Sequence, residues 1–154
     1  MGANATNAEI VTLNVVETLK NAGSTVTSLD MVEVVTAANT ITAAESGTTY
    51  ILNSATAFAS VLPTVAAGLR YRFIAGATQV TGGNHTVSCV ANNDNTMYGS
   101  VTVAGLVIAG TVEGQANFIA DTMLPGDWVE VISDGTNWYI SGQATASGAI
   151  TLTT

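Results

Sequence analysis

Short runs of strand-forming residues separated by turn residues dominate the sequence from Met31 onward. Gly, Asn and Asp interrupt these runs at intervals of about 8–12 residues, the spacing typical of sandwiches and barrels. No helical run is long enough to connect two parallel strands, a connection that takes a dozen or more residues. The sequence therefore predicts an all-β, antiparallel sandwich or barrel of about 9–11 strands. The predicted strands are 32–36, 40–43, 48–52, 69–75, 85–91, 100–103, 106–112, 116–119, 128–132, 137–141 and 149–153.

The stretch PGDWVEVISDGTNWYISG, residues 125–142, is the most regular part of the chain. Side chains alternate between the two faces of a strand, so Trp128 and every second residue after it share one face. Asp134 and Gly135 supply a hairpin turn, because glycine adopts positive φ without steric cost. Both tryptophans of the protein lie in this hairpin, and we expect Trp128 and Trp138 to anchor the core.

The first 30 residues differ from the rest of the chain. Thr6 and Glu9 match a capping box, and Gly23 can end a helix. Apolar residues recur every third position between them, as on one helical face. Many neighbouring residues are β-branched and form helices poorly, so an extended arm laid over a neighbour stays an alternative to a short helix. Residues 1–30 are predicted as an arm or short helix with a connector, and 31–154 as the β domain. The candidate docking residues of the arm are Ile10, Leu13, Val16 and Leu19.

The charge balance limits the classes of partner. Eleven acidic and three basic residues give a net charge of −8, and 9% of residues are charged, against about 25% in an ordinary domain. Phosphate binding requires clustered Lys and Arg, so no nucleic-acid partner is expected. No stretch approaches the roughly 20 apolar residues of a membrane span, so no membrane partner is expected either. Strand edges with few Lys residues are poorly protected against association. We predict an oligomer whose edges neighbours cover, or a component of a rigid shell.

Candidate catalytic and metal-binding residues have simpler structural interpretations. His85 is the only histidine and has no partner ligands at a metal-site spacing, so we expect it to pack or hydrogen-bond. Cys89 lies in a run typical of a core strand rather than of a nucleophile. The residues 92–95 favour an Asn-rich turn over a calcium loop. We predict that the protein is not an enzyme and uses no cofactor. The densest acidic set, interpreted as solvated or interface carboxylates, is Asp121, Asp127, Glu130 and Asp134.

Arg70 and Arg72 are two of the three basic residues and share one face of a predicted strand. Arginine makes bidentate contacts with carboxylates and is enriched in interface cores. The sequence leaves two alternatives open for this pair. The two side chains form part of an interface, or they make ion pairs with acidic residues of the same chain.

Three segments resemble small head decoration (cement) proteins of tailed bacteriophages. They are GTTYILNSA, LPTVAAGLRYRFI and GDWVEVISDGTNWYISG, in this order, and the ending SGAITLTT is similar as well. The resemblance covers about residues 45–154 and leaves the first 30 residues outside. It implies a β-rich structural virion protein on the capsid exterior, made in the host cytoplasm. Its partner would be the major capsid protein, and no catalytic residue comes with the resemblance.

The resemblance therefore implies a capsid decoration protein that stabilises the viral capsid, and the charge-poor composition adds the expectation of a homotrimer. The first alternative is a carbohydrate- or receptor-binding β module of a phage tail or fibre, with aromatic rings stacking on sugars. The second is a hydrolase with a carboxylate pair, which the scarcity of His and Lys disfavours. The aromatic candidates for the first alternative are Tyr50, Tyr98, Trp138 and Tyr139.

Overall fold

The computed structural model describes residues 31–89 and 97–154, together with the backbone of residues 20–21 and 24–25. The chain divides into two units, Met1–Asp30 and Met31–Thr154. The candidate docking residues of the predicted arm, Ile10 to Leu19, and the Asn-rich turn at 92–95 lie outside the described residues.

The backbone described in the first unit is a two-stranded antiparallel ribbon. Strand β1 (Lys20–Asn21) pairs with β2 (Ser24–Thr25), with Lys20 opposite Thr25. Lys20 and Asn21 lie before Gly23, the residue at which the predicted helix could end, and their backbone pairs as a strand.

The second unit, Met31–Thr154, is an all-β sandwich of two sheets, which confirms the predicted fold class. The two sheets do not close into a barrel. Its described residues form twelve strands, one more than the eleven that the sequence predicts, and the additional strand is β6. One 3-10 turn, Ala43–Glu45, is the only helical element among the described residues. The strands are β3 (Val32–Val35), β4 (Asn39–Thr40), β5 (Thr49–Leu52), β6 (Ala59–Val61), β7 (Ala67–Ala75), β8 (His85–Ser88), β9 (Met97–Val103), β10 (Leu106–Glu113), β11 (Gln115–Phe118), β12 (Trp128–Asp134), β13 (Trp138–Ala144) and β14 (Ile150–Thr153).

The pairing of the strands differs from the antiparallel prediction. One sheet has seven strands in the order β10-β9-β13-β12-β7-β5-β3, and the other has five in the order β14-β11-β8-β6-β4. The pairs β3/β5, β5/β7, β13/β9, β4/β6 and β6/β8 are parallel. Between β3 and β8 each strand lies in the opposite sheet from the strand before it. A strand of the other sheet therefore provides the crossover for which the sequence argument required a helix.

Aromatic rings fill the space between the sheets. Tyr50 stacks on Phe73 with ring centroids 5.3 Å apart, and Tyr71 lies 5.9 Å from Trp138. The Tyr71 hydroxyl donates to the Thr42 carbonyl at 2.9 Å. Burial raises the pKa of Tyr71 to about 12. The core thus joins rings from β5, β7 and β13.

The two tryptophans take different positions, although the hairpin that holds them forms as predicted. Trp138 is 1% exposed and lies in the core. Trp128 is only partly buried and lies on the opposite face of the seven-stranded sheet, so its expected role as a core anchor is wrong. The reason is register: Trp128 pairs with Ile74 and Gln143, both of which face away from the core.

Candidate docking face

The side of the seven-stranded sheet that faces away from the five-stranded sheet is called here the docking face. Strand pairing aligns Val34 with Ile51, Ile51 with Ile74, and Ile74 with Trp128. Four neighbouring strands therefore each place an apolar residue on this face in one continuous row. Val34 is exposed, and the other three residues are partly buried. A solvated sheet face normally carries polar residues at such positions.

The corresponding face of the five-stranded sheet is polar. Strand pairing there aligns Asn117 with Thr86 and Thr151, and Gln115 with Ser88 and Thr153. The two outer faces of one sandwich thus differ in chemistry, and the apolar row belongs to one of them only.

A charged row runs beside the apolar row. Glu130 pairs in register with Arg72, but its carboxylate Oε2 accepts a hydrogen bond from Nη2 of Arg70 at 2.7 Å. Arg70 is its diagonal neighbour, at a spacing that long side chains can reach. The Glu130 side chain is 14% exposed and that of Arg70 is 61% exposed. Because the Arg70 end of the pair is open to water, solvent screens the attraction, and the pair contributes about 0.2–1 kcal/mol to stability.

Arg72 also turns toward its diagonal neighbour. Its guanidinium carbon lies 4.3 Å from the centroid of the Trp128 ring, a cation–π contact. The buried Nε atom of Arg72 has no hydrogen-bond partner among the described residues. The two alternatives for the arginine pair thus have different outcomes: Arg70 makes an internal ion pair, while Arg72 holds its charge over an aromatic ring.

Two further aromatic residues border this charged row. Tyr98 and Tyr139 have ring centroids 6.4 Å apart, and Tyr139 is exposed. The Tyr139 hydroxyl donates to Oδ2 of Asp134 at 2.9 Å. This hydrogen bond raises the pKa of Tyr139. The pKa of Asp134 is lowered, because Asn137 N–H, Thr136 N–H and the Tyr139 hydroxyl donate to its carboxylate.

Of the four aromatic residues considered for sugar stacking, two are unsuitable. Tyr50 and Trp138 are 0% and 1% exposed, so neither ring can reach a ligand outside the protein. Both lie at positions that face the core of the sandwich. Tyr98 and Tyr139 remain at the surface of the docking face.

His85 and Cys89 are core residues. His85 is fully buried, its ring lies 4.1 Å from that of Phe58, and its Nε2 is 3.0 Å from the Ser54 carbonyl. The carbonyl can only accept, so Nε2 carries the proton. Burial lowers the pKa of His85, which keeps the ring neutral. Cys89 is 9% exposed.

The acidic residues do not form a common site. Asp127 is 2% exposed, and its two oxygens accept from Leu124 N–H and Thr145 N–H, each at 2.8 Å. This carboxylate holds two loops together, in contrast to the solvated or interface role predicted for it. No group of three or more metal-ligating side chains occurs in the part of the chain that the structure describes.

The sequence singled out the arginines but missed the apolar row. The available signal lies in strands β5 and β7. Ile51 and Ile74 stand between core-facing apolar residues, so both faces of these strands carry apolar side chains there. The partner of Arg70 is 60 residues away and could not be identified without the register.

No helix among the described residues has the length and apolar character to cross a membrane. The chain matches no protein-family model, no curated protein and no solved structure.

Proposed function

We propose that this protein is a structural virion protein that decorates the capsid exterior of a tailed bacteriophage. It binds the outer surface of the major capsid protein shell as a homotrimer and stabilises the shell without catalysis. The resemblance in sequence supplies the class of partner. The observation that carries the proposal is the docking face, where an apolar row lies directly beside Arg70 and Arg72.

The chemistry of this face suits a protein partner. Trp, Tyr and Arg dominate the residues that contribute most to binding energy in protein interfaces. Trp128, Arg72 and Tyr139 bring these three residue types together on neighbouring strands. Their strands are fixed by pairing on both sides, so little conformational entropy is lost when the face is covered.

Arg72 defines the complementary group on the partner. Its guanidinium carries donors while its ring contact with Trp128 orients it. A carboxylate on the shell surface would pair with it in bidentate geometry. The apolar row would be covered at the same time, and an interface of standard size buries about 1,600 Å² in total.

The test measures attachment of purified protein to undecorated shells of the same virus, by co-sedimentation. We expect Trp128→Ala to weaken attachment at least about thirtyfold, the loss typical of a central interface residue. Arg72→Gln is expected to weaken it about tenfold and to reduce its dependence on salt, because an ion pair is lost. Thr86→Ala, on the polar face of the five-stranded sheet, is the matched control.

Shells should also resist heat better when they are decorated, which calorimetry of the shell transition would measure. Wild-type attachment by the Trp128 and Arg72 variants, with loss in the Thr86 variant, would contradict the choice of face. Failure of the folded wild-type protein to attach to any shell form would contradict decoration itself.

The alternative function is a carbohydrate- or receptor-binding module of a phage tail or fibre. The observation that favours it is the surface pair of Tyr98 and Tyr139, since aromatic rings stack on sugars. A glycan array probed with the wild-type protein and with Tyr139→Ala distinguishes the two functions. Binding to a defined glycan that Tyr139→Ala abolishes would support this alternative.

A further inference from the structure

The sandwich has four sheet edges, and they differ in the side chains that they expose. Nine large apolar side chains of the described residues are exposed, and six of them lie on or next to the two edge strands of the seven-stranded sheet. Edge strands of native proteins usually carry charges, proline or bulges that prevent pairing. Here β3 carries one charge, Glu33, and β10 has its bulge and its charge, Glu113, beyond Gly110, so the part of β10 from Leu106 to Ala109 is regular and uncharged. The six residues are Met31, Val32 and Val34 at β3, and Leu106, Val107 and Val112 at β10.

The edges of the five-stranded sheet serve as an internal comparison. Its edge strand β4 consists of Asn39 and Thr40, and its other edge, β14, carries Thr151 and Thr153 on the outward face. None of these four residues is a large apolar side chain. The exposed apolar edges are therefore a property of one sheet, which points to a role for its two ends.

The pairing within the seven-stranded sheet relates its two edges to each other. Val34 of β3 and Val107 of β10 lie at the two ends of one row of paired residues that crosses the sheet. The residues between them in this row are Ile51, Ile74, Trp128, Gln143 and Thr102. By the same path Val32 corresponds to Ala109. The two edge strands run antiparallel to each other, so a second copy of the sheet can continue the first.

We propose that β3 of one copy pairs antiparallel with β10 of the next copy, so that the seven-stranded sheet continues from subunit to subunit. The register follows if each row of paired residues continues from one copy into the next. It places Val34 opposite Val107, Val35 opposite Leu106, and Val32 opposite Ala109. The backbone groups of both edges that have no strand partner among the described residues are satisfied, and the exposed apolar side chains cover one another. A head-to-tail contact of this kind generates a ring when its rotation closes.

Pairing between unlike edges agrees better with the charges than pairing of β3 with itself. Self-pairing of β3 in the register that joins Val32 to Val34 places Glu33 opposite its own copy. Like charges directly opposite each other destabilise a strand pair. In the head-to-tail register the same Glu33 lies opposite Ile108, with no acidic residue across from it.

This proposal deepens the homotrimer part of the proposed function, and it requires only that the isolated chain associates with itself. The experiment therefore uses purified full-length protein without shells. Val34→Cys and Val107→Cys are prepared as single variants, one with a size tag, and are mixed and treated with a mild oxidant. Directly opposed residues of antiparallel strands have Cα atoms about 4.5–5.5 Å apart, within disulfide range.

We expect a disulfide-linked heterodimer in the mixture and no dimer in either variant alone. The double variant Val34→Cys/Val107→Cys is expected to give a covalent trimer. Wild type controls for Cys89, and the pair Thr40→Cys with Thr153→Cys, on the edges of the five-stranded sheet, controls for random collision. A second measurement is the mass in solution, where Val107→Lys is expected to convert trimer to monomer.

Three results would overturn the proposal: a heterodimer yield no higher than in the Thr40/Thr153 control, cross-linking of Val107→Cys mainly to itself, or a monomeric wild type. Attachment to shells is measured separately. If the cross-link does not form but the protein attaches to shells, the contact between β3 and β10 is contradicted and the docking face is not. If the cross-link forms but the protein does not attach, only decoration is contradicted.

Discussion

The two halves of the sandwich contribute strands to the same two sheets, but they connect these strands differently. In residues 31–88, here the alternating half, each of the strands β3–β8 lies in the opposite sheet from the strand before it. In residues 97–153, here the hairpin half, β9–β10 and β12–β13 are hairpins within one sheet. Neighbours in the alternating half are mostly parallel and distant in sequence, while hairpin pairs are antiparallel and adjacent.

The boundary between the two halves, here called the seam, contains the charged and aromatic contacts of the docking face. Strand β7 of the alternating half pairs with β12 of the hairpin half. The ion pair of Arg70 with Glu130 and the contact of Arg72 with Trp128 both cross this seam. The docking face therefore exists only when the two halves are joined, which makes their coupling the property to test.

Removal of the Trp138 ring is expected to have the largest effect. Trp138 of the hairpin half packs on Tyr71 of the alternating half, with centroids 5.9 Å apart. Trp138→Ala should lower the free energy of unfolding by about 3–5 kcal/mol, because it leaves a cavity in the core. Denaturant titration should show one transition that far-UV circular dichroism and Trp128 fluorescence report together. Two separate transitions would show that the halves fold independently, and Ser141→Ala on the outward face of β13 is the control.

Asp127 tests the contacts at the end of the seam. Its carboxylate accepts from Leu124 N–H and Thr145 N–H, and its backbone carbonyl accepts from Ala75 N–H of β7. Asp127→Ala should lower the free energy of unfolding by about 2–4 kcal/mol, since two partly buried N–H donors lose the same charged, buried acceptor. Asp127→Asn keeps one acceptor oxygen and should lose about half as much. Equal stability of Asp127→Ala and wild type would show that these bonds do not hold the loops.

His85 gives the alternating half a pH dependence. Burial lowers its pKa in the folded protein below the usual 6.5. The stability from the neutral ring is fully present above pH 6.5 and is lost as the pH falls from 6.5 toward the folded pKa, because the unfolded chain binds the proton first. We expect a loss of up to about 1.4 kcal/mol per pH unit in that window.

The matched variant is His85→Gln, whose amide can still donate to the Ser54 carbonyl but does not titrate. Denaturant midpoints measured between pH 7 and pH 5 should fall for the wild type and change less for the variant. His85 is the only histidine of the chain, so this difference isolates one group. An equal slope in both proteins would contradict the assignment.

The two halves also differ in how well the sequence predicts them. The β12–β13 hairpin was predicted correctly because its turn is local: Asp134 Oδ1 accepts from Thr136 N–H and Asn137 N–H, each at 2.8 Å, and Gly135 has a φ of 101°. Strand β6 was missed because Ala59, Ser60 and Val61 lie in a run of small residues without alternation. Its strand character comes from parallel pairing with β4 and β8, which no local pattern encodes.

The docking face was predictable only in part for the same reason. The shared face of Arg70 and Arg72 follows from strand alternation within β7. The identities of their neighbours depend on the register with β12, and that register also places Trp128 outside the core. Non-local pairing thus decides which surface residues meet, and a single sequence carries little information about it.

The smallest expected effect concerns the turn of the other hairpin. Between β9 and β10, Ala104 has a φ of 50° and Gly105 a φ of 81°, as in a type I′ turn. An alanine in this region is strained, whereas asparagine tolerates it. Ala104→Asn should therefore raise the free energy of unfolding by about 0.5–1 kcal/mol, and Gly105→Ala should lower it by about 1 kcal/mol.

Because this turn directly precedes β10, Ala104→Asn also tests whether turn strain affects the exposed edge. The substitution leaves Leu106 and Val107 unchanged, so we expect greater stability by thermal denaturation with no change in self-association. Stabilisation of the trimer alone would show that the turn changes shape on assembly. No stabilisation of either form would show that Ala104 adopts its positive φ without cost. Local turn chemistry would then contribute less to the hairpin half than the well-formed turn between β12 and β13 indicates.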